Sequence, residues 1–254
     1  KKKEDNMSEE EKNNEEEIED QIENPPWLDL RLTKEAMDYL WDDINDKQKD
    51  ARNDLAGNIS KSVFIQDKDN WLYENVMKDC VEYLYYKDWN NYYFVHVTKS
   101  LPPPVFELKG LWVNYQKQHE FNPPHNHTGF FSFVVFMKIP THWKEQHALP
   151  ISANSNTPSA SNFQFLLGHK HGEMEAIHIK LAPEDEGRML FFPAWLMHQV
   201  FPFYGTEEER ITISGNICLY DPNRSKMSGD VYKKKKKNME NLKFIVKQIE
   251  EELK

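Results

Sequence analysis

Three histidines stand where their side chains could share one metal ion. His125 and His127 alternate in PPHNHTG, immediately before the apolar run FFSFVVFMKI. Imidazoles at i and i+2 beside a strand end can be aimed at a single ion, although a solvated loop carries the same pattern. His198 follows 71 positions after His127, within FFPAWLMHQVFPF. That apolar, aromatic setting also suits a core histidine whose hydrogen bonds are satisfied. A third ligand from a distant strand is nevertheless what a metal site in a closed β-fold requires. Arg210 comes 12 positions beyond His198, and Thr212 two beyond that. Five more histidines, His142, His147, His169, His171 and His178, fall within a 37-residue stretch. They lack an accompanying Cys and match no finger spacing, so they read as ordinary loop and strand residues rather than a zinc site.

The elements that must position these groups are mostly strands. FELKGLWVNYQ, FFSFVVFMKI, FQFLLG, EAIHIKLA, GRMLFFPAW and RITISGNICLY are short apolar or alternating runs separated by turn residues. Alternation places Trp112, Asn114 and Gln116 on one face of the first, opposite Leu111, Val113 and Tyr115. It likewise groups Arg210, Thr212, Ser214 and Asn216 against Ile211, Ile213 and Ile217. A sheet with one face in water gives this pattern, and so does a barrel with a polar cavity and a covered exterior. Helices precede the strands. Thr33 caps a segment with Met37, Leu40, Trp41 and Ile44 at helical spacing, and a second helix is predicted over Trp71–Tyr85. Helices first and strands later predict an α+β, mainly β architecture, with helices packed outside a jelly roll rather than a βαβ fold. PISANSNTPSASN, residues 150–162, reads as a mobile loop.

Composition narrows the function. The chain has 254 residues, a formal net charge of −10 and nine glycines. The acidic balance argues against a general nucleic-acid binder, and no Gly-rich phosphate or dinucleotide loop is present. No apolar run reaches the roughly 18 residues of a membrane helix. Only two cysteines, Cys80 and Cys218, and no secretory signal point to a reducing, cytoplasmic compartment. Residues 1–24 hold eleven acids and four lysines and read as a disordered acidic tail. Residues 25–222 form the domain, with 25–104 as helical support and 105–222 as the β core. Pro102–Pro104 mark the connection between these two parts. Residues 223–254 comprise a basic linker and an amphipathic helix with Leu242, Ile245, Val246, Ile249 and Leu253 in one stripe. That stripe suits docking on the chain's own sandwich or a partner helix in a homodimer through 231–254.

Taken together, His-x-His, a distant His and then Arg-x-Thr resemble the 2-oxoglutarate/Fe(II)-dependent oxygenase superfamily. PPHNHTGFFSFVVFMKIP, EGRMLFFPAWLMHQVFPF, RITISGNI and the upstream LAGNISKS and MDYLW are similar to members predicted in marine phages and bacteria. The resemblance covers residues 25–222 and implies a double-stranded β-helix (jelly roll). It implies Fe(2+) held by His125, His127 and His198, with 2-oxoglutarate as co-substrate. Molecular oxygen and a small-molecule or peptidyl substrate complete the implied reaction, a hydroxylation coupled to oxidative decarboxylation. It assigns Arg210 to the far carboxylate of 2-oxoglutarate, which a guanidinium matches bidentately. Thr212 shares that strand face, Asn114 lies on the inner face by alternation, and Ser132 follows on the next strand. All three are further candidate contacts to the co-substrate. Trp143 or His171, between the metal motifs, is expected near the substrate mouth. A phage origin would place the chain in host cytoplasm. His127 stands where the family usually has Asp or Glu. Three-His ferrous sites also serve cupin-type oxygen chemistry without a keto acid, and that reading predicts no role for Arg210. A jelly-roll binding module without catalysis, which would hold no tight iron, is the third reading.

Overall fold

A computed structural model of the chain describes residues 25–45, 49–87 and 105–220. The expected acidic tail, the Pro102–Pro104 connection and the C-terminal helix lie outside the described residues.

The support region begins with strand β1 (Leu28–Arg31) and helix α1 (Lys34–Ile44). Thr33 caps α1 as predicted, its Oγ1 accepting from the Ala36 N–H at 3.2 Å. Leu40 and Ile44 are buried, and Met37 and Trp41 pack beside them half-buried. Short strands β2 (Lys49–Asp50) and β3 (Lys61–Ile65) follow. The second helix starts at Trp71, passes through a π turn at Tyr73–Met77, and continues as α2 (Lys78–Lys87). Its orphan N–H groups at Leu72 and Tyr73 donate to the Asp67 carboxylate at 2.8 and 3.0 Å.

The core strands are β4 (Phe106–Gln116), β5 (Asn122–His125), β6 (Phe131–Lys138), β7 (Phe163–Gly168), β8 (Met174–Ile179), β9 (Arg188–Pro193), β10 (Met197–Val200) and β11 (Arg210–Leu219). One short helix, α3 (Trp143–Ala148), joins β6 to β7. The strands form two antiparallel sheets, ordered β1-β9-β6-β11-β4-β3-β2 and β5-β10-β7-β8. Of β4–β11, four strands lie in each sheet, and the chain passes repeatedly from one sheet to the other. That is the jelly roll expected from the strand pattern.

Two apolar clusters explain why the sheets stack. The outer face of the larger sheet carries Val113, Phe133, Val135, Phe191, Ile213 and Ile217, covered by Leu40, Leu72, Met77 and Val81 from the helices. Between the sheets, Val134, Phe136, Phe163, Phe165, Phe192 and Leu196 form the second cluster. β6 contributes to both, so FFSFVVFMKI reads as a continuous apolar run, as a strand buried on both faces must. The inward faces of β4 and β11 break the apolar pattern with the polar residues predicted by alternation. The helix-covered exterior decides for the cavity rather than a wetted face. Among the described residues no helix is long and apolar enough to cross a membrane.

Candidate metal and co-substrate site

The histidines meet because β5 pairs with β10. The register sets His198 directly across from His125. β5 was not expected as a strand, because Pro123 and Pro124 lack donors. It lies at the sheet edge, where proline is tolerated. His127 stands just past the strand, and its backbone N–H donates to the Ala194 carbonyl at 2.9 Å. Gly129 then turns the chain into β6 at φ +110°, where a Cβ would lie 2.7 Å from the Ile217 carbonyl oxygen. The glycine is therefore needed both for its φ and for the close approach.

The ring orientations are held from behind. His125 Nδ1 lies 2.7 Å from the Pro123 carbonyl oxygen, and His198 Nδ1 2.9 Å from that of Leu196. A carbonyl only accepts, so both rings carry their proton on Nδ1 and present an Nε2 lone pair. His127 Nε2 is 3.1 Å from His198 Nε2. The ligand atoms of all three rings lie within 4.8 Å of one another. Two ligands at right angles on one metal, with bonds of about 2.1 Å, would stand about 3 Å apart. The His127–His198 separation matches that value. Among the described residues it is the only such group of His, Cys, Asp or Glu, and it contains no carboxylate.

Burial keeps these rings neutral. It pushes His198 well below the ordinary histidine value, with His125 and His127 adding to the effect. It lowers His127 to about 4, again helped by His125, and lowers His125 more mildly. Neutral imidazole is the form that binds metal, so no proton need leave at neutral pH.

The rings open on a cavity of about 340 Å³ between the sheets. Its wall on the larger sheet is the polar face of β4 and β11: Trp112, Asn114, Gln116, Thr212, Ser214 and Asn216. Asn114 and Thr212 are cross-strand partners, as are Gln116 and Arg210. The Asn114 Oδ1 accepts from the Ser62 hydroxyl at 2.7 Å, which leaves its amide donors for the cavity. Asp54–Gly57, which includes the start of the LAGNISKS stretch, also lines it. A Cβ on Gly57 would come within 2.0 Å of the Asn122 Oδ1, so a larger residue there requires that side chain to shift.

Several expectations need correction. Ser132 faces the space between the sheets but does not line the cavity. Its hydroxyl is taken up by the Gly215 carbonyl at 2.9 Å and the Asn216 Oδ1 at 3.3 Å. Trp143 and His171 do not line it either. Trp143 lies under the Lys180 ammonium, 4.6 Å from its ring centroid. The stretch 150–162, read as a mobile loop, ends in an ordered strap in which Ser161 and Asn162 are completely buried. Arg210 lies behind the lining residues, fully buried beside Gln116. Alternation groups it with the polar face of β11, and the resemblance assigns it to the far carboxylate of 2-oxoglutarate. Instead, Nη2 donates to the Ser161 carbonyl at 2.9 Å and hydroxyl at 2.5 Å. Nη1 makes a marginal 3.5 Å contact with the Gln116 Oε1. Nε is buried without a partner, and among the described residues no carboxylate pairs with the guanidinium. Burial lowers its pKa to about 9, so it remains cationic at neutral pH. The histidines outside the cluster form structural ties, such as His147 and His178 flanking the Asn162 amide at 3.0 and 3.1 Å.

A jelly roll that gathers three neutral imidazoles at the mouth of a polar cavity defines a double-stranded β-helix protein with the donor set of a mononuclear metal centre. Residues 110–216, from within β4 to within β11, match the family described as "Putative 2OG-Fe(II) oxygenase". A family of that description implies Fe(2+) and 2-oxoglutarate. No curated protein sequence matches the chain. Among solved structures, a prolyl-4-hydroxylase from Pseudomonas putida is similar at 13% identity and a TM-score of 0.44, covering 77% of this chain and 94% of that one. A viral collagen prolyl hydroxylase from Paramecium Bursaria Chlorella virus-1, in complex with 2-oxoglutarate, has 13% identity and a TM-score of 0.43, covering 79% and 98%. A prolyl hydroxylase from Trichoplax adhaerens, in complex with a hypoxia inducible factor peptide fragment, has 11% identity and a TM-score of 0.44, covering 86% and 96%.

Proposed function

We propose that the chain is a non-haem iron dioxygenase that couples oxidative decarboxylation of 2-oxoglutarate to hydroxylation of a small-molecule or peptidyl substrate. The observation that carries this reading is the pairing of opposites in one barrel. Three neutral imidazoles converge on the cavity, and a guanidinium without a carboxylate is buried in the same barrel beside the lining residue Gln116. His125, His127 and His198 would hold the iron, which supplies the redox chemistry that activates oxygen when bound. Three neutral ligands leave the ferrous charge undiminished, which suits capture of a dianionic co-substrate. Arg210 would bind the far carboxylate, with Thr212 donating its hydroxyl from the same strand face. Asn114, held by Ser62, would direct its amide donors at the co-substrate. Phe136, Phe163 and Phe192 around the rings limit access of water to the reacting centre.

The absence of a carboxylate from the cluster favours a second reading, a cupin-type three-His metal enzyme that needs no keto acid. One assay separates them. Protein loaded with Fe(II) under nitrogen and exposed to oxygen should release succinate from 2-oxoglutarate, and Arg210→Gln should suppress that release at limiting 2-oxoglutarate. Tight iron with no succinate from any substrate pool would sink the first reading in favour of the second. No tight iron at all would leave a binding module.

A further inference from the structure

We propose that Ser161 is the positioning residue for Arg210, fixing the guanidinium plane so that its remaining donors meet the distal carboxylate of the keto acid. The inference rests on the assignment of Arg210 to 2-oxoglutarate made above.

The strap 159–162 comes from the segment between α3 and β7, 49 positions before Arg210. Ser161 is completely buried and has φ +71°, a conformation that non-glycine residues adopt at a cost. Such a conformation persists only when its surroundings over-determine it, and here they do. The Ser161 N–H donates to the Pro202 carbonyl at 2.8 Å, the Asn162 N–H to Ser159 at 3.0 Å, and the Phe201 N–H to Asn162 at 2.9 Å. The Asn162 side chain is gripped by His147 and His178. The Thr141 hydroxyl lies 3.3 Å from that of Ser161.

The consequence of the left-handed turn is that the carbonyl and the hydroxyl of one residue both reach the same nitrogen of Arg210. The Phe203 ring, also completely buried, covers one face of the guanidinium, with Cζ 5.1 Å from its centroid. Nη2 is thereby spent, whereas Nε has no partner and Nη1 only a marginal one. A planar fork with one corner pinned and one face stacked has lost the freedom it would otherwise lose on binding, which is how preorganisation raises affinity. Ser161 touches no substrate in this scheme and acts only through Arg210.

The test is a titration of the Fe(II)-loaded protein under nitrogen, following the metal-to-ligand absorption band. The two probes are 2-oxoglutarate and 2-oxobutyrate, which lacks the distal carboxylate. Ser161→Gly removes the hydroxyl, keeps the carbonyl and relieves the positive φ, so the fold should persist. It should weaken 2-oxoglutarate about 3- to 30-fold, less than the full value of a hydrogen bond to a charged group because the Ser161 carbonyl still holds the guanidinium. The affinities for 2-oxobutyrate and for iron should not move. In turnover, KM for 2-oxoglutarate should rise while kcat at saturation holds. Thr141→Val, which removes the hydroxyl beside Ser161, should give the same ligand-selective pattern at about 2- to 5-fold. Unchanged or tighter 2-oxoglutarate binding in Ser161→Gly, alongside a loss in Arg210→Gln, overturns the positioning role alone. Equal losses for both keto acids also overturn it, because they would mark Ser161 as a support of the cavity. Full 2-oxoglutarate affinity in Arg210→Gln overturns the underlying assignment instead.

Discussion

The β5–β10 pair and the start of β11 bury ionisable groups in opposite ways. At the β5–β10 end, burial strips three imidazoles of charge and turns them into lone-pair donors. At the start of β11, burial lowers the guanidinium pKa without discharging it, because its intrinsic basicity is too high. The lesson is that one barrel interior can neutralise one ionisable group and leave another charged simply by the residue type placed in it. The first end needs a cation to reconcile converging lone pairs. The second holds its cation with neutral acceptors, Ser161 and Gln116.

The comparison breaks most visibly at the cation end. His127→Ala should lose most of its iron, with a fall in affinity of at least 10- to 100-fold, while the circular dichroism spectrum is unchanged. Metal analysis after desalting is the measurement, and full occupancy would rule out the three-imidazole site. His127→Asp replaces a neutral donor by an anionic one. It should keep iron and some succinate release, and loss of both would show that the cluster is tuned to three imidazoles.

At the anion end the expected effect is next in size. Arg210→Gln should weaken 2-oxoglutarate by about 1.5–3 kcal/mol, the range for a hydrogen bond to a charged group, with iron binding intact. Arg210→Lys should recover only part of this, because a flexible ammonium does not reproduce the position of the pinned guanidinium. Arg210→Met sharpens the contrast between the ends. It removes a buried cation that has no carboxylate, so the melting temperature should stay level or rise even as 2-oxoglutarate capture is lost. A fall of many degrees would show that the guanidinium mainly ties the 159–162 strap to β11.

The smallest effect belongs to the wall between the two ends. Ser62→Ala releases the Asn114 amide, and the loss of one neutral hydrogen bond is worth about 1 kcal/mol, roughly 5-fold in 2-oxoglutarate affinity. Isothermal titration resolves that difference. No change would mean that Asn114 merely lines the barrel.

What the sequence determined alone was whatever depends on neighbours a few residues away. The Thr33 cap, the apolar spacing of α1, and the two faces of β4 and β11 follow from local periodicity and were legible. His125 and His127 could be paired because two positions along a strand end bring side chains to one side. Tertiary structure decided whatever depends on chain path. The register of β5 against β10 joins His125 to His198, and the prolines of β5 hid that strand by removing its donors. The strap that grips Arg210 looked like a mobile Ser- and Asn-rich loop, because its order comes from partners at Thr141, Pro202 and Arg210 rather than from its own composition. The Ser132 hydroxyl is taken up by the Gly215 carbonyl and by its strand partner Asn216. Hydrogen bonds between distant segments satisfy whichever donors the fold brings together, and no spacing rule within the sequence carries that information.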